Sequence, residues 1–455
     1  MNRIYKRTGL LYVLAIAFIV GLAILFSNFG IHAKKWVMQP YNQHIYSQGN
    51  LTGMGAIYDR NGKVLAQTTN GKRSYNQSRD VRLATLHVVG DAEGYISTGA
   101  QTIFKSKLTG YNRLNGLYMS DEEARAHDIT LSIDADLSVA AMKAMGSYQG
   151  TIGVYNYKTG EILCAVSCPT YDVENKPEID TEKEQWDAVY MNRFFSGSYT
   201  PGSTFKVITT ASALENCPGI ESDTFHCSGY YTNPQGSKVK CNSTHGTVTF
   251  TQGLNRSCNV VFAKVAGERL SNDELQSTAE SFGFNDNVEV DGIKCKASTI
   301  DLKNAYAIDR SWAGIGQYTT LVNPCHEITV MGAIANRNGT TPKPTILKQN
   351  FSKSSLKYIT SYRARQLDDL LRSNVTNYYK DSKFPNLQMC GKTGTAQVSN
   401  GAPHTWFVGY SQRPDLPYAI VVVLENSGGY GLTNAIPIAN TVMQKALTLS
   451  QAEGK

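Results

Sequence analysis

The chain has 455 residues, 41% of them hydrophobic and 18% charged, with 26 Tyr, 15 Phe and 4 Trp. That composition can bury a substantial core and excludes a disordered, collagen-like or coiled-coil chain. The net charge of +7 rests largely on Arg3, Lys6, Arg7, Lys34 and Lys35, all of which precede the first acidic residue, Asp59; the nearly balanced remainder argues against nucleic acid as a partner, because phosphate binding requires a cationic face.

Leu10 to Phe26 reads LLYVLAIAFIVGLAILF without a charge. As a helix rising about 1.5 Å per residue, with Gly9 and Phe29 added, it crosses a hydrocarbon layer of roughly 30 Å. The alternative, a cleaved signal peptide, would have a shorter apolar run and a small-x-small site, and SNFGIHAKK supplies none. Residues 9–29 are therefore expected to be a retained transmembrane anchor and residues 1–8 a tail, with the bias of basic residues favouring the N-terminus inside and the bulk of the chain outside the cytoplasm.

Residues 30–127 read as a small β-rich membrane-proximal module, with two strand-like runs around Arg60-Asn61-Gly62. From residue 128 to 455 a larger α/β region is expected. Ile129 to Gly146 passes from a strand signal to a helical period, and Gly150 to Ser167 alternates like a hairpin turning at Lys158-Thr159-Gly160. His404 to Tyr410 and Tyr418 to Asn426 read as strands, followed by a closing helix from about Ala435 to Leu449. Strands at both ends with helices between them suggest one sheet closed by distant segments. No internal repeat is visible.

Pro201-Gly202 breaks the chain before STFKVITTASALE, whose apolar residues fall at helical spacing, so Ser203 is expected to open a helix. Lys206, three positions on, faces the same side. A serine hydroxyl becomes a nucleophile when a base takes its proton, and a lysine serves as that base only if burial or a nearby cation keeps it neutral. The spacing alone is weak, since Ser354-Ser355-Leu356-Lys357 repeats it in a polar stretch without the Pro-Gly break. What distinguishes Ser203 is its company: Ser257-Cys258-Asn259 and then Lys392-Thr393-Gly394-Thr395 follow in order.

With GAIYDRNGKVLA, LSIDADLSVAA, NYKTGEILCAVSCPTYD, NRFFSGSYTPGSTFK, GIGQYTTLVNP and GKTGTA, nearly the whole chain resembles the class B penicillin-binding proteins, monofunctional peptidoglycan D,D-transpeptidases anchored by one N-terminal helix. Met54 stands where that family often has Arg. The resemblance implies an α/β (α+β) fold of the serine β-lactamase and transpeptidase type, with an antiparallel sheet flanked by helices. It implies that Ser203 attacks the penultimate D-alanyl carbonyl of a stem peptide, that Lys206 takes its proton, and that Ser257 relays a proton to the leaving amine. Asn259 would orient the chain and Lys206. Lys392 would help keep Lys206 neutral and attract the terminal carboxylate, which Thr393 and Thr395 would hydrogen-bond, while Gly394 would let the substrate backbone lie along the strand. The Ser203 and Thr395 N–H groups match the oxyanion hole. The implied partners are D-Ala-D-Ala donors and amine acceptors, β-lactams as inhibitors, and a membrane glycan polymerase of the SEDS family; no organic cofactor is implied.

Of nine cysteines, Cys164 and Cys390 lie in apolar strands and read as small hydrophobes. Cys227, Cys241, His245 and Cys258 form a C-x13-C-x3-H-x12-C set that suits a closed tetrahedral zinc beside the S-x-N motif, as some class B penicillin-binding proteins have. A Cys227–Cys241 disulfide is the rival reading, and His226 the rival ligand. Competing functions on the same motifs are a D,D-carboxypeptidase, a β-lactamase, for which the class A E-x-x-L-N motif is missing, and a non-catalytic β-lactam sensor or cell-wall scaffold.

Overall fold

A computed structural model describes residues 2–37, 46–47, 50–51, 54–110, 127–348, 354–399 and 401–453. The remaining stretches of the expected membrane-proximal module, 111–126 among them, lie outside the described residues. The chain forms two compact units.

The first comprises Met1–Ala56, Ala66–Ser74 and Phe104–Ile129. Its helix α1 (Asn2–Val37) contains a stretch, Arg7–His32, that is long and apolar enough to cross a membrane. Its large side chains, such as Leu11 and Phe18, are exposed, as they would be against lipid. Near the end of this unit the Gly55 N–H donates to Leu108 O at 2.8 Å. A Cβ on Gly55 would lie 2.4 Å from His127 O, so only glycine fits the first motif here.

The second unit comprises Ile57–Leu65, Tyr75–Ile103 and Thr130–Lys455. Segments 57–65 and 75–103, which the sequence suggests belong to a membrane-proximal module, cluster with this larger unit. Its elements begin with α2 (Ala135–Met145), whose first turn is capped by the Asp134 carboxylate accepting the Leu137 N–H. Strands β1 (Gly150–Asn156) and β2 (Ile162–Cys168) follow. Their turn closes through Gly160 N–H to Asn156 O at 2.8 Å, with Gly160 at φ +88°. Helices α3 (Lys206–Asn216), α4 (Asn259–Lys264) and α5 (Pro324–Ala335) precede β3 (Met389–Ala396), β4 (His404–Ser411), β5 (Tyr418–Leu424) and α6 (Ala435–Glu453).

The five strands form one antiparallel sheet in the order β3-β4-β5-β1-β2, so first and last thirds of the domain meet where β5 pairs with β1. On one face α2 and α6 bury Leu137, Ala141, Ile436 and Val442 against Ile152, Phe407, Ile420 and Val422. Each such side chain contributes roughly 1.5–3 kcal/mol. On the other face α5 approaches so closely that a Cβ on Gly332 would lie 2.9 Å from the Tyr155 ring. With both faces covered, every residue of β1, β2 and β5 is buried, which corrects the expected alternation of the hairpin. Strand β3 is left at the sheet edge, and it carries the Lys392-Thr393-Gly394-Thr395 motif.

Candidate active site

Pro201-Gly202-Ser203-Thr204 does not start an α-helix directly. Gly202–Thr204 is a 3₁₀ turn, and α3 begins at Lys206. Two backbone contacts hold that turn. Gly202 donates its N–H to Gly316 O at 2.9 Å, and a Cβ on Gly316 (φ +77°) would fall 1.9 Å from Gly202 O. The GIGQ segment thus packs its backbone against the nucleophile turn, a role that spacing could not reveal but paired positive-φ glycines explain. On the opposite side, a Cβ on Gly394 would lie 2.6 Å from Pro201 O. Gly394 therefore seats β3 against the turn, a packing reason for glycine beside the expected one, room for a substrate backbone.

The three motifs come together at one place. Lys206 is fully buried, and its Nζ donates to Ser257 O (2.8 Å), Asn259 Oδ1 (2.7 Å) and Ser257 Oγ (3.4 Å). Lys392, equally buried, donates to Ser257 Oγ at 2.9 Å and to Thr393 O at 3.0 Å. The Ser257 hydroxyl oxygen thus accepts from two lysines, and its own proton is left to point into the cleft it lines. Ser257 sits at φ +54°, a left-handed conformation that costs a non-glycine residue about 1 kcal/mol or more. Asn259 starts α4 and is fixed from its other end by donating to Lys240 O at 2.9 Å.

Burial lowers Lys206 to about 8, with Cys258 and Cys241 opposing the shift. Burial also pushes Lys392 well down, and the Lys206 charge adds to that. Of the two causes that the sequence left open for Lys206, burial or a nearby cation, desolvation is the dominant one. Ser203 Oγ has no hydrogen-bond partner among the described residues, and Lys206 spends its donors on the S-x-N motif.

Thr393 and Thr395 both face the cleft. Tyr379, not anticipated from the sequence, accepts the Thr393 N–H at 3.0 Å and lies 3.0 Å from Thr393 Oγ1. The phenol and the Thr393 hydroxyl thus share one hydrogen bond, which fixes the position of Thr393 Oγ1 at the cleft. Burial pushes this phenol up to about 12, so it stays protonated. Thr395 Oγ1 likewise accepts from Gly431 N–H at 3.4 Å. Tyr379 ends a π-helical turn, Asn374–Tyr379, a local geometry frequent at functional sites. Behind the nucleophile turn, Glu327 on α5 is buried and pushed up to about 7 by that burial, with Thr204 opposing.

Two clefts meet at Ser203. One, of about 410 Å³, is lined by Asn259, Lys240, Trp312, Gln317 and Tyr430. The other, of about 230 Å³, is lined by Ser257, Arg256, Thr393, Tyr378 and Leu432. The alternative pair Ser354 and Lys357 lies elsewhere, with Lys357 on a short strand, Ser355–Lys357, that pairs with Thr340–Pro342.

The four residues Cys227, Cys241, His245 and Cys258 converge, their ligand atoms all within 4.8 Å of one another. Cys241 Sγ is 3.9 Å from Cys258 Sγ and 3.5 Å from His245 Nδ1, and Cys227 Sγ is 3.6 Å from the same nitrogen. With metal bonds of about 2.3 Å to sulfur and 2.0–2.1 Å to nitrogen, a tetrahedral site requires edges of about 3.8 Å between sulfurs and about 3.5 Å from sulfur to nitrogen. The donor set therefore fits a tetrahedral metal. Ser243 Oγ, 3.0 Å from His245 Nε2, orients the ring, and the Asn259 N–H reaches Cys241 Sγ at 3.3 Å. Contact with the Cys258 thiol pulls the Cys241 thiol well down. His226, the rival ligand, turns away to Thr247 Oγ1 at 3.4 Å. Cys164 and Cys390 are buried as expected, and burial pushes Cys164 up to about 12.

Residues 150–444 match the penicillin binding protein transpeptidase domain. A curated relative, the peptidoglycan D,D-transpeptidase PbpA of Mycolicibacterium smegmatis, is 25% identical over 98% of this chain and 99% of its own length. Among solved structures, the D,D-transpeptidase domain of a peptidoglycan glycosyltransferase from Eggerthella lenta aligns with a TM-score of 0.73 at 25% identity, over 88% of this chain and 99% of that one. Penicillin-binding protein A of M. tuberculosis, solved as an imipenem acyl-enzyme complex, aligns at 0.73 and 24% identity, over 87% and 98%, and shares the fold. With the match covering more than half of its length and the three motifs meeting in one cleft, the chain belongs to the penicillin-binding protein transpeptidase family.

Proposed function

We propose that this protein is a peptidoglycan D,D-transpeptidase that works through a serine acyl-enzyme and is acylated at the same serine by β-lactams. The observation that carries the reading is the Ser257 hydroxyl held between Lys392 at 2.9 Å and Lys206 at 3.4 Å beside the cleft that contains Ser203. The curated relative's D,D-transpeptidase name supports the substrate class.

Neutral Lys206 takes the Ser203 proton as Oγ bonds to the penultimate D-alanyl carbonyl carbon. The N–H groups of Ser203 and Thr395 receive the developing oxyanion. Collapse breaks the amide bond, and the departing D-alanine amine gains its proton through Ser257. Thr393 and Thr395 hydroxyls, with the Lys392 charge behind them, hold the terminal carboxylate. Asn259 positions the donor chain as well as Lys206. An amine of a neighbouring stem peptide then displaces Ser203 and completes the cross-link.

Cys227, Cys241, His245 and Cys258 would hold a structural zinc, which would tie Cys258 in place between Ser257 and Asn259. Residues 9–29 would anchor the chain with its N-terminus inside the cell, so that the transpeptidase domain, 128–455, works outside it. A membrane glycan polymerase of the SEDS family would supply the glycan strands.

Labelled penicillin tests the central claim. The full-length protein in detergent is expected to become covalently labelled, and a Ser203→Ala variant is expected not to be; equal labelling of both removes Ser203 as nucleophile. Metal analysis of the same preparation is expected to return one zinc per chain, and its absence sinks the metal assignment.

A further inference from the structure

Arg256 directly precedes Ser257 and lines the smaller cleft together with Ser257, Thr393 and Tyr378. Its side chain is exposed, and one guanidinium N–H reaches His245 O at 3.4 Å. Among the described residues no carboxylate lies within ion-pair range of it, and no Asp or Glu lines either of the two clefts that meet at Ser203. Most arginine ion pairs elsewhere in the domain are satisfied internally, as with Arg82 and Asp172 at 2.6 Å or Arg372 and Asp381 at 2.8 Å. A planar fork of donors left open beside a cleft without counter-charge matches a carboxylate brought by a ligand.

Which ligand follows from the side of Ser203 on which Arg256 lies, given the D,D-transpeptidase reading on which this step rests. The smaller cleft contains Ser257, which protonates the departing amine, and Thr393, which holds the departing residue's carboxylate. An acceptor amine must enter where that amine left and surrender its proton along the same path in reverse. Its nitrogen bonds to the acyl carbonyl carbon, the carbon–Oγ bond of Ser203 breaks, and the proton lost by the amine returns through Ser257 and Lys206 to Oγ. Anything attached to the acceptor amine is then carried past Arg256.

We propose that Arg256 determines acceptor specificity by binding a carboxylate carried on the amine acceptor, an acidic peptide or amino acid, and so favours transfer over hydrolysis. Lys240, the charged residue of the larger cleft, is not part of this assignment.

The test uses the full-length protein in detergent, an N-acetylated peptide ending in D-alanyl-D-alanine as donor, and two acceptors that share an α-carboxylate for Thr393 and differ only in a second carboxylate, D-glutamate and D-glutamine. In Arg256→Gln, kcat/KM for transfer to D-glutamate is expected to fall about tenfold or more while transfer to D-glutamine changes by less than about twofold, the loss of a charge-assisted hydrogen bond being confined to the acceptor with the second carboxylate. Arg256→Lys keeps the charge without the fork and should recover part of the D-glutamate transfer. Penicillin labelling of each variant reports an intact nucleophile, and Arg256→Met serves as a second neutral variant if the first fails to label. Equal losses with both acceptors, or none with either, overturn the assignment. A wild-type protein that is not labelled at Ser203 would instead overturn the transpeptidase reading.

Discussion

Arg193 and Lys206 are both fully buried cations in the same unit, yet they are built differently. Arg193 directs Nε to Glu425 at 2.7 Å, and Tyr199 donates to the same carboxylate oxygen at 2.7 Å. Its other nitrogens are taken by Ala188 O and Asp187 O. Lys206 and Lys392 meet hydroxyl, amide and carbonyl oxygens and no carboxylate. The paired arginine joins the segment before the Gly202–Thr204 turn to the end of β5. The unpaired lysines share one hydroxyl, and desolvation brings Lys206 to about 8, where it can give up its proton. A counter-charge separates architecture from chemistry here.

Lys206→Met should have the largest effect, lowering the rate of acylation by penicillin about 10²–10⁴-fold, the usual worth of a general base. Its cost in stability should be the smaller of the two cations, because no opposite charge is stranded. Arg193→Met should behave inversely, losing about 3 kcal/mol of unfolding free energy because the Glu425 carboxylate, only 11% exposed, is left with Tyr199 but without its cation. Denaturant midpoints measure this, and the fraction that remains folded should acylate normally. If Lys206→Met proved the more destabilising, the distinction between the two sites would collapse.

The pH profile sharpens it further. Below about 8 Lys206 carries its proton and cannot act as base, so acylation should rise about tenfold per pH unit and level off above about 8. Folding follows the same sign, since the folded chain releases this proton at a lower pH than the unfolded chain and gains stability as pH rises between the two values. A flat rate below 8 would assign the base elsewhere. The smallest effect is expected at Tyr379→Phe, which removes the two hydrogen bonds to Thr393, of which the one to Oγ1 bears on a ligand. At about 1 kcal/mol for one such bond, KM for a D-alanyl-D-alanine peptide should rise roughly fivefold with kcat little changed.

Much of the site is legible from local chemistry. The Pro-Gly break, the three-residue step from Ser203 to Lys206, and the C-x13-C-x3-H-x12-C spacing each state which residues belong together, and all of them converge. Other features are not local. Tyr379 reaches Thr393 only because the π-helical turn is laid beside β3, and nothing in VTNYYK marks it. The hairpin of β1 and β2 displays alternation, yet whether its second face meets water depends on α5, whose residues lie far along the chain. The choice between burial and a nearby cation as the cause of the Lys206 shift was not local either, because desolvation depends on what encloses a group rather than on its sequence neighbours.

The sequence by itself determined the long apolar N-terminal helix, the turns where Gly and Pro restrict the backbone, and the three short motifs of hydroxyl, lysine and amide side chains, since these follow from side-chain chemistry and short-range sterics. Only the tertiary structure decided that Ser257 lies between two lysines and that Gly202, Gly316 and Gly394 are present for backbone contact. It also decided that Arg256 stands open beside the cleft, because each of these depends on distant segments brought together by burial of a common sheet.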